Sequence, residues 1–344
     1  MNDDTNSPTD SAVDSAAKPA FEIFSFDDTD TVMDRIDLLD YVQLLNNGKW
    51  YEPPIPYSSL RKAFNSSPHH SSAIYVKRNI LASIFVPSKL LSVQDFSAFA
   101  FDFLTFGNGH LELRRSINRR PLSLRHSLAM YTRVGLDLDR FWFIHDYTNP
   151  HQFEKGSIFH LREPDLSQEV YGIPQYMSAM QSMLLSDAST IFRRRYYVNG
   201  SHAGFILYIS DALHNSSDIE SIKQGLRESR GKGNFKNFFI HAPNGKPDGV
   251  KVIPISEVAS KDDFLSVKRT TRDEILAAHR VPPQLIGVIP ENTGGFGKAS
   301  EAAEVFVANE LLPLQAVFMQ LNEFVGETVI RFKPYAIGTA QPAA

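Results

Sequence analysis

The stretch Arg280–Glu304, RVPPQLIGVIPENTGGFGKASEAAE, constrains this chain more than any other. A charged helical pattern stops at Pro282-Pro283, because a residue before proline is pushed out of the α region and proline lacks a backbone donor. Gly294, Gly295 and Gly297 then form a loop with little reason to hold one conformation. A second helix follows at once, with Ser300 reading as its N-cap. Gly294–Lys298, GGFGK, fails as a phosphate loop: the G-x-x-x-x-G-K-[ST] spacing is missing, Ala299 follows the lysine, and no strand leads in. A helix, a mobile loop and a helix without chemistry suit a mechanical part better than an active site.

The chain of 344 residues is longer than one hydrophobic core usually sustains, so two or more structural units are expected. It has no cysteine, which removes disulfides, thiolate metal sites and a cysteine nucleophile, and fits maturation in reducing cytosol. A net charge of −4 creates no overall field toward nucleic acid, so any DNA contact is expected to be local or non-adhesive. No uninterrupted apolar run is long enough for a membrane span, and the start lacks a secretory signal, so a soluble protein made inside the cell is expected.

Residues 1–20 are Asp, Ser, Thr, Asn and Ala with little to bury, and read as a tail. Asp34–Leu45 has helical spacing, Glu52–Pro56 forces an extended connector, and Leu60–Leu81 reads as helix interrupted at Ser66-Ser67-Pro68. Phe99, Phe101 and Phe103 alternate with small or polar residues, which predicts a half-buried strand. Gly107-Asn108-Gly109 then predicts a hairpin turn, with Leu111 and Leu113 on the return strand. Short strands are expected near Leu122–Leu124, Phe141–Ile144 and Ser157–His160.

From Ile173 to Val198 apolar residues recur at helical steps, among them Met180 and Leu184, with Ser178, Ala179, Ser182, Ser186 and Ser189 between them. Arg193–Arg195 and Asn199-Gly200 end this helix. A small α/β unit follows, with strands at Phe205–Ile209 and Phe238–His241 and a helix at Ser217–Ser229. Asp262–Arg280 is helical again, with Phe264, Val267, Thr271, Ile275 and Ala278 on one face. The last helix runs from Ser300 to Phe324, kinked by Pro313.

His69-His70, His145, His151 and His160 sit at no recognised ligand spacing, and Asp137 and Asp139 lack the rest of a calcium loop. No G-x-S-x-G elbow is present. No cofactor or metal is therefore expected. Arg193–Arg195 reads first as a helix end and second as a DNA contact. Arg230, Lys232 and Lys236, on a glycine-rich turn, suit phosphates or an acidic partner, and equally a loop kept polar for solubility.

The order of five segments resembles the phage portal family, in particular the short portals of P2-like and PBSX-like phages. They are FGNGHLEL (Phe106–Leu113), IFHLREPDLSQEVYGIPQY (Ile158–Tyr176), YYVNGSHAGFIL (Tyr196–Leu207), AAHRVPPQLIGVIP (Ala277–Pro290) and the ASEAAEVFVANELLPLQ helix. The resemblance implies an α+β portal fold: a β-rich wing over 21–172, stem helices at 173–198 and 262–280, a clip at 199–261, a tunnel loop at 281–299, and a long kinked helix at 300–326. The C-terminal tail, 327–344, leaves a crown minimal or absent.

It also implies a structural, non-enzymatic protein: a dodecameric ring at one capsid vertex of the virion, passing double-stranded DNA without sequence preference. The implied partners are the terminase large subunit, the major capsid and scaffold proteins, and later the head-completion and tail-connector proteins, with no membrane. Glu291, Asn292, Thr293, Gly294, Gly295 and Lys298 would face DNA in the tunnel loop. Arg230, Lys232 and Lys236 would dock the motor, and Met180, Leu184, Lys268 and Arg272 would belong to the stem. The competing readings are a sequence-specific DNA-binding protein acting as a soluble oligomer, and a hydrolase with an acid pair hidden in the fold.

Overall fold

The computed structural model describes residues 46–166, 169–198, 205–209, 250–254, 261–287 and 299–335. For 195–198, 205–209, 250–254 and 261–264 it describes the backbone. The expected helices at 34–45 and 217–229, the strand at 238–241 and the terminal tails 1–20 and 336–344 lie outside those residues.

Two helices open the described chain, α1 (Tyr57–Phe64) and α2 (Pro68–Ile84), broken by Ser66, Ser67 and Pro68 as expected. The short strand β1 (Phe85–Val86) ends α2. Next comes α3, Val93–Phe106, where alternation had predicted a strand. Local capping decides this. Ser92 Oγ accepts from the Asp95 amide at 3.0 Å and donates to its carboxylate at 2.6 Å, satisfying the first turn.

Gly107 closes α3 in the left-handed region at φ 67°. Phe96, Phe99 and Phe103 all reach the Phe318 ring, with centroids 5.6, 5.5 and 5.4 Å away. Phe101 turns to the opposite side and stacks on Tyr75 at 5.4 Å. A helix buried on two sides thus carries phenylalanine at every second position and imitates a strand. Gly107-Asn108-Gly109 is accordingly a helix cap running into a strand, not a hairpin turn.

That strand, β2 (Asn108–Arg115), is the centre of an antiparallel sheet between β3 (Pro121–Ser127) and β7 (Ile158–Arg162). A second sheet joins β4 (Thr132–Val134), β5 (Phe141–Phe143) and β6 (His151–Gln152). Helix α3 lies against β2 so closely that a Cβ at Gly109 would meet the Phe99 ring at 2.7 Å.

The chain then makes a 3₁₀ turn, Gln175–Ala179, and helix α4, Met180–Val198. Antiparallel strands β8 (Phe205–Ile209) and β9 (Val250–Pro254) precede α5, Lys261–His279. The long helix comprises α6 (Ala299–Phe306), a π-helical segment Val307–Leu311, and α7 (Leu312–Val325). It starts one residue before Ser300, so that serine lies inside the first turn and is no cap. The π segment absorbs the bond that Pro313 cannot make. Strand β10 (Arg331–Phe332) returns to pair with β1.

By length and composition the helix Ala299–Val325 is apolar enough to cross a bilayer. Here Phe306, Leu311, Leu314, Phe318 and Leu321 instead fill a core with α2, α3 and the first sheet. A second cluster gathers α1, Tyr171, Tyr176, Met180, Met183 and Ile275. The sheet unit and the helix pair are therefore sewn together by a shared apolar interior, each large side chain contributing about 1.5–3 kcal/mol.

Candidate functional site

Four of the five quoted segments converge at one junction, where the sheet unit meets the pair α4–α5. Asn108 bridges the crossing strands of chain: its Nδ2 donates to the carbonyls of Phe106 (2.8 Å) and Gly172 (2.7 Å), and its Oδ1 accepts from Gly172 N (2.8 Å). Glycine is required here by contact. A Cβ on Gly172 would lie 2.1 Å from the Gly107 carbonyl oxygen, and one on Gly107 2.6 Å from the Ile173 carbonyl carbon. His160 joins through Nε2 to Asn108 Oδ1 at 2.9 Å and stacks on His110 at 4.4 Å.

Below this crossing His70 of α2 meets His279, the last residue of α5, with Nδ1 and Nε2 2.8 Å apart. Tyr176 packs on both rings and donates to the Thr105 carbonyl. Burial holds His70 neutral, down to about 3, and lowers His279 as well, where repulsion from His70 and Lys77 adds to it.

An ionic chain runs alongside. Lys77 Nζ sits 2.5 Å from Glu310 Oε1, and Arg280 reaches Glu310 Oε2 at 3.3 Å and Gln175 Oε1 at 2.6 Å. Gln175 in turn donates to Glu163 at 2.8 Å. Burial lowers the Lys77 ammonium while the Glu310 charge and hydrogen bond raise it again. Arg280 holds φ at 54°, a left-handed helix end without glycine, kept there by these partners. One carboxylate on the π segment thus ties α2, the end of α5 and the start of α4 to the long helix.

Helices α4 and α5 run antiparallel from this junction: α4 begins beside Tyr176 where α5 ends at His279, and Ser182 donates to Glu274. Their outer ends lead to residues 199–260, and α5 leads at its near end to 281–298. Of the expected stem residues, Met180 is buried against α1 and α5 and Leu184 is half-buried against the same core. Lys268 and Arg272 are half-buried on α5, near Arg193 and His69, and Arg272 pairs with Asp273 at 2.8 Å.

Of the small residues on this stretch, Ala179 and Ser186 are buried within the protomer, Ser182 and Ser189 are half-buried and Ser178 is exposed. Among the described residues of the helix pair, Leu185 and Leu265 are exposed apolar side chains, at 51% and 47%. Sequence reading missed the Lys77–Glu310 pair and Asn108, because the partners are far apart in the chain. Glu291, Asn292, Thr293, Gly294, Gly295 and Lys298, and Arg230, Lys232 and Lys236, lie outside the described residues. Among the described residues no group of three or more His, Asp or Glu is placed to hold a metal.

A unit built on a three-stranded sheet, an antiparallel helix pair and a long interrupted helix define the class, and residues 86–323 match the family described as "Phage portal protein". This chain belongs to the phage portal protein family. It is 49% identical over 324 residues to "Probable portal protein" of Escherichia phage P2, with 94% of both chains covered. It is 33% identical over 294 residues to the protein of the same description in Haemophilus phage HP1 (strain HP1c1), covering 82% of this chain and 84% of the relative.

Two solved structures share the fold. A chain from the virion of a native gene transfer agent particle aligns with TM-score 0.58 at 18% identity, over 86% of this chain and 88% of that one. An HK97 family phage portal protein from Corynebacterium diphtheriae aligns with TM-score 0.57 at 13% identity, over 82% and 97%.

Proposed function

We propose that the protein is the subunit of a closed portal ring at one capsid vertex, the head–tail connector through which phage DNA enters and leaves. Its role is structural, and no catalytic step or cofactor is assigned to it. The observation that carries the ring is the apolar face left on the helix pair. Leu185 on α4 and Leu265 on α5 are both about half exposed and leave apolar surface on the outside of the helix pair. A side-by-side contact between identical copies is heterologous and covers such faces when rotation closes it.

In this reading twelve copies enclose the bore, and double-stranded DNA slides past a wall whose sparse cations, Lys268 and Arg272, avoid a tight phosphate grip. The loop 281–298, with Glu291, Asn292, Thr293, Gly294, Gly295 and Lys298, contacts DNA. Arg230, Lys232 and Lys236 dock the terminase large subunit, and head-completion and tail-connector proteins occupy the same end later. Capsid and scaffold proteins meet the wing. The chain is made in the host cytoplasm.

Native mass and negative-stain images of the purified protein test the ring: closed annuli are expected, and a monomer at every concentration would end the proposal. Charge reversal at Arg230, Lys232 and Lys236 should leave rings intact and impair packaging. Deleting Thr293–Gly297 should impair packaging or DNA retention, and unchanged particles would remove the loop assignment.

A further inference from the structure

The hairpin β2–β3 runs past the last β2–β7 pairing at Glu112 and carries Arg114, Arg115, Arg119 and Arg120 with no acid between Glu112 and Arg125. At its apex Ile117 is 103% exposed, and Leu122 is 62% exposed on the return strand. The tip is not slack. Ser116 N donates to the Arg120 carbonyl at 2.9 Å, Arg119 N to the Ser116 carbonyl at 2.8 Å, and Arg120 N to Ser116 Oγ at 3.2 Å. Arg119 sits in the left-handed region at φ 59°, which turns the chain without glycine. A register shift at Arg114/Arg115 twists the ribbon just before the tip.

Local counter-charge is confined to the base of the ribbon. Glu112 engages Arg114 at 2.8 Å, and Asp95 faces Arg125 at 3.4 Å. The neighbouring loop brings exposed Lys89 beside β3, through the Leu124–Leu90 backbone bond. Arg115, Arg119 and Arg120 are thus exposed cations around an exposed aliphatic wedge, on a pre-formed two-stranded ribbon.

We propose that this hairpin is a second contact for duplex DNA, on the wing and outside the channel. Ile117 enters the minor groove, and Arg115, Arg119 and Arg120 hold the flanking phosphates. A two-stranded ribbon fits a DNA groove, and an aliphatic side chain wedged at a base step with arginines beside it is a recurring minor-groove arrangement. Arginine suits phosphate through its planar fork of donors. An acidic protein surface would also attract the arginines, but the narrow ribbon with a single apical wedge matches a groove better than a flat interface.

The test is anisotropy of a labelled, A·T-rich DNA duplex titrated with the full-length protein over a series of salt concentrations. The triple variant Arg115→Ser, Arg119→Asn, Arg120→Ser removes three cations, with asparagine chosen to tolerate the left-handed backbone. Its slope of log affinity against log salt should fall by about 2 to 3, since each phosphate contact contributes about 0.9. Arg115→Lys with Arg120→Lys should keep the slope. Ile117→Ser should keep it too, while abolishing the rise in fluorescence of a 2-aminopurine placed in the duplex.

Circular dichroism of each variant should match the parent, because all the altered side chains are exposed. Unchanged slope and affinity in the folded triple variant would overturn the proposal and leave the acidic-protein reading. Deleting Thr293–Gly297 should leave the hairpin-dependent share of the slope in place, which separates this contact from the channel.

Discussion

Lys77 and Glu310 are separated by 233 positions in the chain yet lie 2.5 Å apart, each with 4% of its side chain exposed. The pair joins the second helix of the wing to the π segment of the long helix. Two charges taken out of water interact strongly, but their desolvation offsets most of the gain. Their value is specificity of docking: either group without the other is a buried, uncompensated charge.

Glu310→Ala or Lys77→Ala should therefore each lower unfolding stability by about 3–5 kcal/mol. The pair Lys77→Met with Glu310→Leu should lose much less than the sum. Urea unfolding of the four proteins, read as a double-mutant cycle, checks this, and additive losses would contradict it.

Gly172→Ala should prevent correct folding, because the new Cβ meets backbone at 2.1 and 2.4 Å, from Gly107 O and Glu163 N. Gly156→Ala is the control. Its φ is positive, at 71°, unlike that of Gly172, but nothing lies within 4 Å, so a loss of about 1–2 kcal/mol is expected from backbone strain alone. Soluble yield and thermal midpoint separate the two.

Acid should loosen the junction. Burial holds His70 and His160 at about 3, and His110 and His279 are lowered too. In the unfolded chain these groups take up protons near pH 6.5, so the unfolded state binds more protons below that value. Stability contributed by the neutral histidines is complete above about pH 6.5 and declines toward pH 3, each group adding a slope of up to ~1.4 kcal/mol per pH unit. Urea midpoints at a series of pH values check this; a flat profile between pH 6.5 and 4 would refute it.

Leu185→Asp and Leu265→Asp should each dissolve rings into smaller species without unfolding the protomer, because both positions are exposed on the helix pair. Light scattering reads assembly and circular dichroism reads the fold. Intact rings in both variants would place the contact elsewhere.

The helix boundaries at α1, α2, α4 and α5 were legible because proline stops and apolar spacing act locally. The family and the α+β class were legible from the order of segments such as FGNGHLEL and AAHRVPPQLIGVIP. Helix α3 was not, since a face is assigned from periodicity only when one side is buried, and Phe101 and Phe103 are covered from opposite sides. The Asn108–Gly172 crossing and the ion pair at Glu310 depend on residues that only the fold brings together. The Ser116–Arg120 turn was equally hidden, because Arg119 holds a conformation usually announced by glycine or asparagine.

The widened turn at Val307–Leu311 accommodates one residue more than an ordinary α-helical turn would. Removing that residue would rotate everything upstream by roughly 100° about the axis, following the angular step of an α-helix. Ala302, Ala303 and Phe306, now inward, would swing toward water. The facing of Ala299–Phe306 is in this way geared to a single wound-out turn.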